Sequence, residues 1–269
     1  MNEEANDISS SGSQTDSWVA LKAFTAARIA LGRAGTAVPA KESLAFKLAH
    51  AHARDAVHSS LQTAPLINDL NAFGLPLFLL HSQAAERLQY LQRPDLGRRL
   101  DQASADTLIQ AGCQPADVAI ILADGLSATA INRLAVNLLK YLIPLLQSAP
   151  VSLAPLCLVQ QGRVAVGDEI GALLSAKLTV MLIGERPGLS ASDSIGAYVT
   201  YAPAIGITDE KRNCISNIRP DGLPLDVAAQ KIFYLCTEAL QLQLTGIHLK
   251  DHSALVDVPT RSHPNKELD

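Results

Sequence analysis

The sequence predicts an α/β fold: a parallel sheet flanked by helices, with a helical N-terminal region ahead of it. Three observations carry that expectation. After Gly112, short apolar segments alternate with helical ones. Those apolar segments run without polar alternation, as strands covered on both faces do. Each then ends in a turn marked by Gly, Pro or charge, at the edge of the sheet where such folds bind ligands.

Residues 1–16 hold almost nothing to bury and are expected to be disordered. From residue 18 to about 61 the pattern is helical. "VALKAFTAARIALGRAG" closes on glycines that stop a helix, and Pro39 precedes "KESLAFKLAHAHARDAVHSSL", with Leu44, Leu48, Ala51 and Val57 at helical spacing. A less regular stretch holding Pro65, Gly74 and Pro76 leads to a short helix at 82–91 and then to "RPDLGRRL". "DVAIILADG" reads as a strand ending at Asp124-Gly125, and a helix follows over 127–146, kinked or ended by Pro144. "LAPLCLV" is a second strand, "GDEIGALLSA" a short helix, "LTVMLIG" a third strand and "NCISNI" a fourth. "PLDVAAQKIFYLCTEALQLQL" closes the fold as a long helix begun after Pro224. The expected division is a helical region over 17–111, an α/β domain over 112–250 and a disordered tail over 251–269.

A chain of 269 residues suits one large domain or two modest ones. Hydrophobic residues make up 48% and aromatics only 4%, so the core must be aliphatic. A net charge of −4 argues against nucleic acid as the main partner. The apolar runs fall far short of the ~20 residues that cross a bilayer. The polar, acidic N-terminus lacks the basic start and apolar stretch of a secretory signal, so a cytosolic setting is expected. Cys113, Cys157, Cys214 and Cys236 form no CxxC pair and read as free thiols, buried ones being the ordinary case.

Several constellations invite chemistry and fall short of it. "GRAG" at Gly32–Gly35 lacks the spacing of a phosphate or dinucleotide loop, so helix termination is favoured, with Arg28 and Arg33 open to an interface role. "HAHARD" puts His50 and Arg54 on one helix face with His52 and Asp55 elsewhere, and no further metal ligand joins them. Ser127 in "DGLSATA" lacks the second glycine of a nucleophile elbow, because Thr129 stands there; Asp124 or Ser127 as a helix cap fits better. No G-x-G-x-x-G or D-x-H-x-x-G occurs, and no catalytic set is complete within the chain.

The most specific feature is "GERPG", residues 184–188. Glycine at both ends allows close backbone approach to a ligand, and Pro187 stiffens the turn. Glu185 and Arg186 then either serve different partners at a binding edge or form a solvated ion pair worth ~0–1 kcal/mol.

"RIALGRAG", "RPDLGRRL", "ILADGLSATAI", "GRVAVGDEIG", "LIGERPGLSASDS" and "RNCISNIRPDGLP" follow one another in order. With them the chain resembles the small subunit of ethanolamine ammonia-lyase, from about residue 28 to 246. The resemblance implies a Rossmann-like cobalamin-binding domain over 112–250 and a role in deaminating ethanolamine to acetaldehyde and ammonia with adenosylcobalamin. It implies a large subunit that holds substrate and performs the radical chemistry, in a hetero-oligomer of six copies of each chain. Cobalamin contacts fall on Val164 in "GRVAV", Glu185 in "GERPG" and Cys214 in "RNCISN", with no catalytic or metal-ligating residue in this chain. Without D-x-H-x-x-G, which supplies a replacement histidine, dimethylbenzimidazole should stay on cobalt. The implied setting is the bacterial cytoplasm or an ethanolamine-utilisation microcompartment, although the N-terminus lacks the amphipathic helix that packages some family members. Two other readings stand beside this one: a free-standing α/β enzyme using a nucleotide cofactor, and a scaffold that never touches cofactor.

Overall fold

A computed structural model describes residues 18–25 and 27–252. The expected disorder of residues 1–16 and of nearly all of 251–269 lies outside the described residues. The chain opens with a 3₁₀ turn, Val19–Phe24, and then helices α1 (Ala40–Val57) and α2 (Thr63–Asn71). Strand β1 (Leu77–His81) is followed by α3 (Arg87–Gln92), a 3₁₀ turn at Leu96–Arg98, and α4 (Gln102–Ala111). Next come β2 (Ala116–Ala123), α5 (Ala128–Ala130), a π-turn over Ile131–Ala135 and α6 (Val136–Ser148). The remainder is β3 (Leu156–Gln160), α7 (Val166–Leu173), β4 (Ala176–Gly184), β5 (Ile195–Tyr201), β6 (Arg212–Ile218) and α8 (Leu225–Leu242).

The strands form one sheet in the order β1-β3-β2-β4-β5-β6. β1, β3, β2 and β4 run parallel, while β5 is antiparallel to β4 and β6 antiparallel to β5. The expected mixture of helices and a largely parallel sheet is therefore present, with an antiparallel edge. β1 and β5 were not anticipated as strands. β1 sits in a Pro- and Gly-flanked stretch of the helical region, and β5 contains Gly196, which weakens any strand pattern.

Alternate residues of β2 face opposite cores, which explains its unbroken apolar run. Val118, Ile120 and Leu122 meet α6 and α8 residues such as Leu138, Leu142 and Ile232. Ala119, Ile121 and Ala123 share the other core with Leu108 of α4 and Val166 and Ile170 of α7. Each fully buried Leu or Ile contributes ~1.5–3 kcal/mol, so a two-sided strand anchors both layers at once. Asp101 caps α4 by accepting from Ser104 N at 2.8 Å, and Gly112 ends it in the left-handed region at φ 54°. Helix α6 runs through Pro144 for four more residues, so that proline does not end it.

The N-terminal region departs most from expectation. The helix expected across "VALKAFTAARIALGRAG" stops at Phe24, and the GRAG segment makes a tight turn with Ala34 and Ala37 paired through their backbones. Helix α1 forms as its periodicity predicts, yet only Ala56 of it is buried. Leu44 is 65% exposed and Leu48 57%, so these two apolar positions have no cover among the described residues.

Candidate functional site

The turns after β2, β3 and β4 interlock at one edge of the sheet. β2 leads to α6 on one face and β3 to α7 on the other, which makes the gap between their carboxyl ends the usual place for a nucleotide phosphate. Here Asp124, 3% exposed, fills it. Its Oδ1 accepts from Gly125 N at 2.9 Å and Gly162 N at 3.0 Å; its Oδ2 accepts from Gln161 N at 2.9 Å. Arg87 Nη1 stands 4.0 Å from Oδ2. Burial pushes the Asp124 carboxyl up, while those amides and Arg87 favour its charge. The amides a phosphate would need are already bonded, which removes the main support for a nucleotide-binding enzyme. Neither Asp124 nor Ser127 caps the following helix, contrary to expectation. Ser127 Oγ donates instead to Ser192 O at 3.0 Å, tying the first turn to the loop after β4.

Gly184 also has a different task from the one expected. Leu126 N donates to Gly184 O at 2.9 Å, so the turns after β2 and β4 touch backbone to backbone. A Cβ on Gly184 would fall 2.0 Å from Ser127 O and 2.5 Å from Asp124 O. This glycine admits the neighbouring turn rather than a ligand. Gly188 likewise serves its own loop, donating to Ala191 O.

Beyond it, Glu185 and Arg186 diverge. No ion pair joins them among the described residues, which excludes the solvated pair. Arg186 is exposed, and Glu185 is half-buried. Glu185 Oε2 accepts from Ser194 Oγ at 2.6 Å and Asn217 N at 3.0 Å, bridging the loop after β4 to β6. Its Oε1 takes no hydrogen bond from the described residues.

Glu185 lines a cleft of about 410 Å³ with Tyr90, Arg163, Val164, Arg186 and Tyr198. A second cleft of about 770 Å³ shares Arg163, Val164 and Tyr198 and extends along Arg98, Arg99 and the loop at 205–210. Together they form one groove. Its position follows from the layers. α8 covers β5 and β6 on one face, whereas α7 on the other packs against β4. Tyr198 and Cys214 are paired residues of β5 and β6, in register with Met181 of β4. They share Met181's side of the sheet, where α7 packs on β4 and reaches β6 at its first residue through the Asp168–Arg212 pair. Cys214 is exposed there, unlike the buried Cys157 and Cys236. Its thiol is pushed up by burial among its neighbours and interacts with the Tyr198 hydroxyl.

Val164, Glu185 and Cys214, singled out from the sequence, thus come from three elements and meet around Tyr198. Sequence reasoning missed Tyr198. The signal was the alternation of Gly196, Tyr198 and Thr200 with the buried Ile195, Ala197 and Val199.

Other missed residues hold the groove's walls. Tyr90 of α3, fully buried, lies between two guanidiniums, with Arg87 Cζ at 4.7 Å and Arg163 Cζ at 4.2 Å from its ring centre. Arg163 Nη2 donates to Tyr90 O at 3.0 Å, and Arg87 bonds Val57 O and Gly125 O. Arg87 Nη2 and Arg163 Nε are buried without a partner. Arg212, at the start of β6, forms a bidentate pair with Asp168 of α7 and also donates to Ile207 O at 2.9 Å. That pair fixes the outer loop of the groove. "HAHARD" and "GRAG" lie elsewhere, with Arg28 over the Phe46 ring at 5.5 Å. Among the described residues no cluster of His, Cys, Asp and Glu could hold a metal ion, and no helix is long and apolar enough to cross a membrane.

A family model described as ethanolamine ammonia-lyase light chain matches residues 15–250. The chain is 50% identical over 256 residues to an ethanolamine ammonia-lyase small subunit of Pseudomonas putida strain KT2440, covering 93% of each. It is 50% identical over 254 residues to that of Ralstonia nicotianae, covering 93% of this chain and 94% of the relative. With the Azotobacter vinelandii small subunit it shares 53% identity over 239 residues, 88% of each.

Proposed function

The chain belongs to the ethanolamine ammonia-lyase light-chain family and is the small subunit of that multi-chain lyase; from that premise we propose that it closes over adenosylcobalamin where it meets the large subunit. The observation that carries the reading is the convergence of Val164, Glu185 and Tyr198 in one groove, with Cys214 beside Tyr198 on the paired strand.

The groove suits the group. Cobalamin offers a flat, largely apolar macrocycle edged with amides. Val164 and Tyr198 supply apolar wall, and Glu185 Oε1 is an acceptor with no partner among the described residues, fit for an amide N–H. Bound, the cofactor supplies the radical chemistry that deaminates ethanolamine to acetaldehyde and ammonia. This chain's residues bind, orient and exclude water. Asn217 N and Ser194 Oγ hold Glu185 in place, so little side-chain entropy is lost on contact. Cys214, kept a neutral thiol beside Tyr198, performs no nucleophilic step. The sequence holds no D-x-H-x-x-G, so this chain would offer no histidine in place of the cofactor's own base.

The uncovered N-terminal surface supports a large partner. Phe24 is 86% exposed, and with Leu44 and Leu48 it presents apolar area that the described residues leave open. The large subunit is the proposed occupant, in a complex of six copies of each chain in the bacterial cytoplasm.

The test uses the assembled complex, titrated with cyanocobalamin by visible absorbance. Glu185→Gln keeps the Ser194 and Asn217 bonds through its carbonyl oxygen but puts an NH₂ donor where the free Oε1 acceptor stood. Glu185→Ala removes it. A hydrogen bond to a charged group is worth ~1.5–3 kcal/mol, so the alanine variant should bind at least about tenfold more weakly. Unchanged affinity in both variants would refute direct contact. Deaminase activity should require both chains and adenosylcobalamin.

A further inference from the structure

We propose that Tyr198 is a further cofactor-contacting residue, meeting bound cobalamin through its ring and not through its hydroxyl; the inference rests on the capping reading above. Tyr198 lines both parts of the groove, and no other aromatic residue does so among the described residues. In a chain with only 4% aromatics, this one is half-buried at a cleft rather than enclosed in the core.

The surroundings leave the ring as the usable surface. Cys214 stands beside it on the paired position of β6. Burial first, and then Cys214 and the carboxylate of Glu185, push the phenol up, so it stays protonated and offers no general base. The neighbours in its row, Met181 and Cys214, are soft side chains that hold the ring from either side along the sheet.

Gly196 explains how the ring and Glu185 share the groove. A Cβ there would lie 3.2 Å from the edge of the Tyr198 ring and 3.2 Å from both Glu185 Cγ and Oε1. The missing methyl lets an apolar plate and a carboxylate stand side by side. A ligand with a broad apolar face and amide hydrogens at its rim meets both at once. A rigid aromatic with few rotamers gives such contact at low entropic cost.

The experiment titrates cyanocobalamin into co-purified complexes carrying wild-type, Tyr198→Phe or Tyr198→Leu small subunit, with assembly followed by native mass spectrometry. Tyr198→Phe should bind within about twofold of wild type, and Tyr198→Leu about tenfold more weakly while assembling normally. The inference is overturned if Tyr198→Leu binds within about twofold, if Tyr198→Phe loses as much as Tyr198→Leu, or if Tyr198→Leu fails to assemble, which would make the ring structural. The capping reading fails separately, if the large subunit alone binds cyanocobalamin as tightly as the wild-type complex.

Discussion

Asp124→Asn tests whether the sheet's phosphate crevice is closed by the chain's own carboxylate. The substitution preserves shape and removes charge. Gly125 N and Gly162 N both point at Oδ1 and can keep an oxygen acceptor, but Gln161 N points at Oδ2, where the variant places an NH₂ group. Two donors then face each other at a site 3% exposed. A buried donor left unsatisfied costs ~1–3 kcal/mol. Arg87, whose Nη2 is already without a partner, also loses the carboxylate 4.0 Å from its Nη1. At that separation the loss is well below the ~3–5 kcal/mol of a tight buried pair; about 1 kcal/mol is a fair share. The total is about 3 kcal/mol, or a fall of about 6–12 °C in Tm at ~2–4 °C per kcal/mol. Scanning calorimetry of the purified small subunit measures it, and amide exchange at Gln161 and Gly162 locates it. A fall under about 2 °C, with those amides as protected as before, would refute the account of the crevice.

Two further outcomes follow from other parts of the chain. Lys177 Nζ, 2.8 Å from Asp117, and the Ser152 amide and hydroxyl hold the Asp117 carboxyl at about 2 instead of the ordinary 3.8. A depressed carboxyl stabilises the fold above its ordinary value and loses that effect as pH falls through about 2, so wild type should exceed Asp117→Asn in denaturant stability near neutral pH, the gap should narrow below about pH 4, and the two should converge only below about pH 2. Because Lys177 is largely exposed, the neutral-pH difference is set at about 1 kcal/mol. On α1, the double substitution Leu44→Ser, Leu48→Ser removes apolar area that nothing in this chain covers. It should leave the small subunit's own Tm within about 2 °C and weaken co-purification with the large subunit; a large loss of Tm with normal assembly would reverse that assignment.

The parts of the fold legible in the sequence are those where local pattern and tertiary environment agree. β2, β3 and β4 carry continuous apolar runs because each feeds two cores, and α6 and α8 show helical spacing over long spans. α1 was legible as a helix but not as an exposed one, because periodicity records an apolar face and not what covers it. β5 was hidden for a related reason. Its Gly196, Tyr198 and Thr200 look unlike a buried strand, since half of that strand's surface borders a groove.

The site separates along the same line. Val164, Glu185 and Cys214 were reached through resemblance, and nothing in their spacing places them together; 21 positions separate the first two and 29 the last two. What gathers them is the reversal of β5. Because β5 runs antiparallel to β4 and β6 antiparallel to β5, Cys214 returns to the row of Tyr198 and Met181. Because the connection from β4 to β5 is a loop and not a helix, no crossover helix covers that side of β5 and β6. A fully parallel sheet would have needed one, and it would have filled the space. The loop 185–194 that replaces it carries Glu185 at its start and Ser194 at its end, joined by a 2.6 Å hydrogen bond. The charged turn after β4 is therefore where the sheet changes direction, and the change of direction leaves the groove open.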